Sequence, residues 1–332
     1  MLSGAKHLAK YVARLFASLR VTGIGEKMFK RLLVPLDGSS LAESVLPIAL
    51  FFAEKFGAAI MLFHAIEQDA PTTIHGERHL SDPKEAEAYL NEIATRLTRP
   101  NVTVTTHLHT VKQTDVARTI IEHAVEYEND LVALCAHGSG GWRDRFVSNI
   151  AQQVVAGGTT PVLFVNPEKT AHAAKYDCRK ILLPLDGTPQ HEPALPVATT
   201  VARATGAALR LVTVVPTTGT LSAERAGAGA LLPNAMAEIL ELAQRGAVEY
   251  LQEVTRKLSA ENVPATAEVA RGEIAPAILD AEKRADADLI VLATHGRSAV
   301  DAFWSGSVTP KVLAQSRAPV LLVRVMGEEA KR

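Results

Sequence analysis

Near the start of the chain the segment Leu33-Val-Pro-Leu-Asp37-Gly38-Ser39 is followed, 149 residues later, by Leu182-Leu-Pro-Leu-Asp186-Gly187-Thr188. The same spacing carries Leu46-Pro47 onto Leu195-Pro196 and Gly57 onto Gly206. A second block, Asp130-Leu-Val-Ala-Leu-Cys-Ala-His-Gly138, returns 158 residues on as Asp288-Leu-Ile-Val-Leu-Ala-Thr-His-Gly296. Two blocks that repeat in the same order mark a duplicated unit, so the chain must fold as two copies of one architecture. The wider second spacing puts about nine extra residues in copy two. They are expected in the Gly- and Ala-rich stretch from Thr217 to Pro233, read as a loop over the sheet edge.

Within each copy, short apolar runs alternate with helical patterns; examples are Lys30 to Leu36, Ala59 to Ala65, Leu131 to Ala136 and Pro161 to Val165. Continuous apolar strands between helices predict an α/β fold with a parallel sheet covered on both faces. Aromatic residues make up only 5% of the chain, so Ala, Val, Leu and Ile must fill the cores. The organisation expected is an extension over residues 1–27, a first domain over 28–168 and a second over 178–327. The polar stretch from Glu168 to Asp177 reads as the linker, with the boundary near residue 172. In doubly wound sheets of this kind, ligands bind beyond the carboxyl ends of the strands, where the strand order reverses. Asp37 and Asp186 follow the first strand of their copies, and Gly138 and Gly296 follow the fourth.

Several function classes are disfavoured. The formal net charge is -1, so the chain lacks the global basic field that nucleic-acid binding usually shows. Two cysteines, Cys135 and Cys178, without Cys-x-x-Cys spacing indicate neither a disulfide framework nor a zinc ribbon. No apolar run reaches the length of a membrane span, and the first residues have no uninterrupted apolar core of a signal peptide, so a cytoplasmic protein is the default reading. There is no Gly-x-x-x-x-Gly-Lys-Ser/Thr loop, and neither Gly23-Ile-Gly25 nor Gly227-Ala-Gly229 has the third glycine of a dinucleotide fingerprint. His107 and His109 alternate on one face of an expected strand; two ligands do not make a metal site, and they read as an exposed pair on an edge strand. No nucleophile with a matched base is visible: Gly138-Ser139-Gly140 is not the five-residue elbow, and Cys135 lies at a strand end. No catalytic residue and no metal ligand set is assigned.

An opening strand that ends in Pro-x-Asp and a fourth strand followed by a glycine-spaced loop resemble the universal stress protein family. The resemblance extends from about residue 28 to 325. It implies two tandem doubly wound domains of the adenine nucleotide alpha hydrolase-like, Rossmann-like type. The ATP-binding branch resembles Gly-x-x-Gly, nine residues, then Gly-Ser/Thr. Copy two offers Ala293-Thr-His-Gly296, nine residues, then Gly306-Ser307, with only the first glycine replaced. Physically, Gly296 allows close backbone approach to an anion, while Gly306 and Ser307 present N–H groups and a hydroxyl at a helix start. By the same resemblance Pro184 and Asp186 face the adenosine end, Val214 supplies backbone contacts to adenine, Gly272 lies beneath the pocket, and His295 adjoins the phosphate loop. Copy one keeps the spacing but reads Cys135-Ala-His137-Gly138 and then Ser148-Asn149, with Thr114 in place of Gly272. Its counterparts Asp37, Ala65, Gly138, Ser148 and Asn149 therefore imply weaker or absent binding. A local alternative stands beside ligand contact for Asp37 and Asp186, namely capping of the helix that follows.

The resemblance also implies a pairing. Single-domain relatives pair through their last strands, here Thr160-Pro-Val-Leu-Phe-Val and Ala318-Pro-Val-Leu-Leu-Val, so tandem fusion gives either a monomeric pseudo-dimer or a homodimer. The leading functional reading is a stress-response protein that binds ATP or a related adenine nucleotide, with Mg2+ accompanying it, and at most hydrolyses it slowly. The second is an interaction module that binds no nucleotide and acts through protein partners or a membrane surface. A nucleotide-hydrolysing enzyme is third. Residues 1–27 bear on the second reading: Lys6, Lys10 and Arg14 lie at helical spacing beside Ala9, Val12, Leu15, Phe16 and Leu19, with no acidic residue before Glu26. Such a basic amphipathic segment suits an anionic membrane surface or a partner protein, and packing on the chain's own domains is the alternative. Deletion of residues 1–25 is expected to leave folding intact and to lower co-sedimentation with anionic vesicles; equal sedimentation removes the membrane reading.

Overall fold

The computed structural model describes residues 28–68, 73–74, 77–78, 80–112, 116–135, 149–167, 175–188, 192–221, 232–295 and 308–325. The amino-terminal extension, both phosphate-loop segments and Thr114 lie outside them. Contacts divide the chain into two compact units, Cys178–Ala293 in one and Lys27–Asp177 with Thr294–Arg332 in the other.

In the larger unit the chain runs β1 (Arg31–Pro35), α1 (Ser40–Glu43), α2 (Leu46–Phe56), β2 (Ala59–Gln68), a short antiparallel ribbon of β3 (Thr73–Ile74) and β4 (Glu77–Arg78), α3 (Pro83–Leu97) and β5 (Val104–Lys112). It continues through α4 (Val116–Glu126), β6 (Leu131–Cys135), α5 (Asn149–Gly157) and β7 (Val162–Val165). The strands lie in the order β7-β6-β1-β2-β5, all parallel. Parallel neighbours need crossover connections, and the helices that supply them cover the sheet, which is why β6 and β7 are buried along their whole length. In the smaller unit β8 (Lys180–Pro184), α6 (Ala194–Thr205), β9 (Ala208–Val215), α7 (Pro233–Ala260), β10 (Ala265–Arg271), α8 (Ile274–Ala285) and β11 (Leu289–His295) repeat the plan. Their parallel order is β10-β9-β8-β11. The α/β parallel architecture expected from the apolar runs is thus present in both copies.

The last helix and strand of copy two, α9 (Val308–Gln315) and β12 (Val320–Val325), fall in the larger unit. β12 runs antiparallel to β7, with Val320 opposite Phe164 and Leu322 opposite Val162. These are the two segments expected to pair, and here the pairing is made within one chain. Arg324 fastens it, donating from Nη1 to the carbonyl oxygens of Val155 and Ala156 at 2.9 and 3.0 Å and to that of Gly158. A cation at the carboxyl end of α5 complements the helix dipole, although burial lowers the guanidinium pKa.

Repeated residues do repeated work. Helices α2 and α6 end at Gly57 (φ 59°) and Gly206 (φ 78°), the left-handed position that glycine adopts without a Cβ penalty. Asp130, heading β6, accepts from the backbone N–H groups of Lys30 and Arg31 at 2.7 and 3.1 Å; Asp288, heading β11, accepts from Arg179 and Lys180 at 2.8 and 2.9 Å. Each carboxylate thereby sets the start of the fourth strand beside the first. One expectation shifts: the extra length of copy two resides partly in helix, since α7 has 28 residues where α3 has 15. The Ala-, Glu- and Leu-rich sequence from Ala235 to Glu249 favours helix over open loop. Replacing Asp288 with Ala leaves two strand-end N–H groups without their acceptor and is expected to cost roughly 1–3 kcal/mol in urea denaturation; an unchanged midpoint would refute the clamp.

Candidate functional site

The strand order fixes where a ligand can sit. In the smaller unit β8 has β9 on one side and β11 on the other, so the chain's progress across the sheet reverses between β8 and β11. A crevice opens beyond the carboxyl ends of strands at such a point. Pro184 ends β8 and Asp186 follows it; Val214 is the penultimate residue of β9; Gly272 follows β10; Ala293 is near the end of β11. All strands being parallel, these five sequence-derived residues share one edge of one sheet. His295 ends β11, but its side chain lies outside the described residues, as do Gly296, Gly306 and Ser307 altogether.

Local chemistry explains the edge. Asp186 Oδ1 accepts from the Thr188 backbone N–H at 2.9 Å and from its hydroxyl at 2.7 Å, which folds the turn after β8. Asp37 does the same with Ser39, at 2.9 and 2.6 Å, and Ser39 Oγ in turn accepts from the Ala42 N–H at 3.2 Å. In copy one Ser39 is the N-cap of α1, and Asp37 accepts from both the N–H and the hydroxyl of that cap residue. Gly272 has φ 129°, and its N–H bonds the Val215 carbonyl at 3.1 Å. A Cβ built there meets nothing within 4 Å, so the position is open in space yet strained for any other residue.

The two copies differ at this edge. In copy one His64 bridges two backbone carbonyls, Nδ1 to Leu36 at 2.7 Å and Nε2 to Leu80 at 2.8 Å. Leu80 is held so close over Gly38 that an added Cβ would lie 2.5 Å from its Cδ1. At the 149-residue spacing the counterpart of His64 is Thr213, buried with no partner for Oγ1 among the described residues. The nearest side chain over Gly187 is Tyr250, at 3.8 Å. Among the described residues, the turn after the first strand is thus packed more tightly in copy one than in copy two. Asp37 and buried Ala65 occupy the matching places in copy one, Asn149 begins α5 with its side chain outside the described residues, and Gly138 and Ser148 lie outside them.

One residue of this edge escaped sequence reasoning. Glu192, 1% exposed, sits just before α6 with Oε1 accepting from Tyr250 Oη at 3.4 Å and Oε2 without a partner among the described residues. Burial pushes its pKa up to about 7; the Tyr250 hydrogen bond and the Lys257 charge oppose the rise, and the nearby Asp186 charge adds to it. The signal was available, since the 149-residue spacing carries Glu43 onto Glu192. Copy one surrounds Glu43 similarly, with Arg96 Nη1 at 2.9 Å and Tyr89, whose phenol is pushed up by burial and by Glu43 and Asp37.

A duplicated parallel sheet whose strand order reverses beside its first strand defines the class of doubly wound, Rossmann-like α/β proteins. Comparison with known proteins narrows it. The model of the universal stress protein family matches residues 28–166 and 178–324, and the chain belongs to that family. A universal stress protein encoded in the QAH/OAS sulfhydrylase 3' region of Thermus aquaticus is 48% identical over 54 residues, which cover 16% of this chain and 39% of that relative. Among solved structures, a universal stress protein from Archaeoglobus fulgidus superposes with a TM-score of 0.65 at 17% identity, covering 91% of this chain and 98% of its own. A functionally unknown protein from Pseudomonas aeruginosa gives 0.63 at 17% identity, covering 91% and 95%. At such identities the likeness establishes the tandem fold.

Glu192 makes stability depend on pH. Its folded pKa lies above its ordinary value of 4.5, so its contribution is full below 4.5 and is lost as pH rises through about 7. Glu192→Gln, which stays neutral, is expected to flatten the decline between pH 5 and 8 by roughly 1–3 kcal/mol in denaturant titrations. Parallel profiles for the two proteins would place the carboxylate's charge elsewhere.

Proposed function

We propose that this chain is a nucleotide-responsive stress protein in which copy two binds ATP or a related adenine nucleotide, and in which binding rather than fast turnover is the working event. The observation that supports the proposal is the reversal of strand order between β8 and β11, which brings Pro184, Asp186, Val214, Gly272 and Ala293 to one strand-end edge. In this reading the Val214 backbone takes the adenine, Asp186 the ribose side, and Gly296, Gly306 and Ser307 the phosphates, with His295 beside them. Mg2+ would arrive as the counter-ion of those phosphates. The residues fit such a guest: among the described residues nothing lies within 4 Å of a Cβ built at Gly272, and the Thr213 hydroxyl, without a partner there, offers a hydrogen bond near the base. Copy one, with Leu80 over Gly38, is the structural partner. The reading carries with it a cytoplasmic site of action, where adenine nucleotides are abundant. Among the described residues no helix is long and apolar enough to cross a membrane.

A second reading, the interaction module, is favoured by one feature. The first half of α7 presents Ile239 and Leu242 more than half exposed, with Val248 a turn and a half further on. Apolar side chains in that setting suit protein partners. The membrane version of this reading rests on residues 1–25, outside the described residues.

The two readings separate on nucleotide. Protein purified without added nucleotide is denatured and the released material chromatographed; ATP is then titrated calorimetrically into wild type, Gly306→Trp and Ser148→Trp. The expected result is one site per chain, weakened more than about tenfold by Gly306→Trp, equal to about 1.4 kcal/mol, and untouched by Ser148→Trp. No released nucleotide and no heat would give the chain to the interaction reading.

A further inference from the structure

Sequence spacing put His107 and His109 on one strand face without a third ligand; the fold supplies it. β5 is the edge strand of its sheet, and α4 packs beside it so that His123 faces the pair. Nε2 of His123 lies 3.2 Å from Nε2 of His107, and ligand nitrogens of all three rings fall within 4.8 Å of one another. Nδ1 of His123 lies 2.9 Å from the Thr119 carbonyl oxygen. A carbonyl can only accept, so Nδ1 carries the proton and Nε2 presents a bare lone pair towards His107. That outer hydrogen bond is the arrangement metal-ligating histidines use to fix their tautomer.

The rings are held in place. His123 is buried, His107 half-buried and His109 exposed. Phe63 lies beneath, 4.9 Å from the His123 ring and 6.0 Å from the His107 ring, and Tyr127 stacks on His123 at 5.6 Å. Burial, together with His123 and His109, lowers the pKa of His107, partly opposed by Glu126. Nitrogens around a tetrahedral zinc, each about 2.0–2.1 Å from the ion, stand roughly 3.3 Å apart, close to the His107–His123 separation.

We infer that His107, His109 and His123 form a binding site for a borderline divalent transition metal, with zinc as the best-matched ion and a coordination position open to solvent on the His109 side. Three imidazoles favour Zn2+, Ni2+ and Cu2+ over Mg2+ or Ca2+, which prefer oxygen ligands. The site belongs to copy one alone: at the 158-residue spacing, Ala281 replaces His123. Its chemistry is also separate from any phosphate-borne Mg2+, so a duplicated domain would carry a nucleotide in one copy and an imidazole-bound metal in the other.

The test uses the full chain, stripped with a chelator and dialysed. Zinc is titrated in competition with a chromophoric indicator, and Co2+ is substituted to read its visible ligand-field bands. One equivalent per chain, tetrahedral-type Co2+ absorption, and a zinc-dependent rise in melting temperature are expected. His109→Ala, at an exposed position that the core does not need, is expected to weaken zinc by more than about tenfold and to abolish the zinc-dependent stabilisation while the metal-free melting temperature stays unchanged. His107→Ala should act likewise. No zinc uptake by wild type, or uptake that both variants retain, overturns the proposal and leaves the three rings as a hydrogen-bonded packing cluster.

Discussion

Parallel strand pairing is the constraint from which the rest of this structure follows. Adjacent parallel strands cannot be joined by a tight turn, so each connection crosses the sheet and carries a helix. The crossovers bury both faces, which demands the near-continuous apolar strands seen in Leu131–Cys135 and Lys180–Pro184. They also bring every strand's carboxyl end to one edge. Where the chain starts at β1 or β8 and later returns to its other side, the crossovers diverge and leave a crevice; chemistry at this edge is a consequence of topology before it is a matter of particular residues. Asp130 and Asp288 set the geometry from the opposite end, tying the start of the returning strand to that of the first.

Duplication then allowed the two edges to part. Both copies retain the Asp-Gly-Ser/Thr turn, the Glu ahead of the Leu-Pro pair, and a Tyr from the following long helix. They differ in what covers the turn. His64 sets its two ring nitrogens 2.7 and 2.8 Å from the carbonyl oxygens of Leu36 and Leu80, and the Leu80 side chain lies over Gly38. Thr213, with one short hydroxyl, cannot span such a gap, and the long α7 brings Tyr250 to Gly187 at ordinary contact distance. The carboxylate at this position follows the same division: half-buried Glu43 has an arginine at 2.9 Å, whereas buried Glu192 has a phenol and, among the described residues, no partner for Oε2. An orphaned buried oxygen is costly in a core, and the charge of exposed Asp186 adds to the cost of ionising it.

What was legible in the sequence was whatever repeats or alternates. The 149-residue spacing exposed the duplication, and the apolar runs located β1, β2, β6 and β7 to within a few residues, because burial on both faces leaves an unbroken apolar word. The pairing of the last strands, β7 with β12, came instead from the family resemblance. Length was harder to place: extra residues in copy two were assigned to a Gly-rich loop, whereas helix formers beyond it drew part of that length into α7. Glu192 was missed although its spacing was visible, since a carboxylate flanked by proline and histidine reads as a turn residue until the fold buries it.

The histidines show a different kind of limit. His107 and His109 were visible as a pair because a strand places alternate residues on one face. His123 lies in another element, and neither periodicity nor spacing relates it to β5; the packing of α4 on the edge strand does. Within α4 itself His123 sits at a buried position among Thr119, Ile120 and Ala124, where a sequence reading expects an apolar contact. A residue so placed needs a partner for each ring nitrogen, and the helix supplies only one, at the Thr119 carbonyl. The second nitrogen must look across to the strand, so the three-histidine arrangement follows from the demand of a buried imidazole for two partners as much as from the strand's alternation.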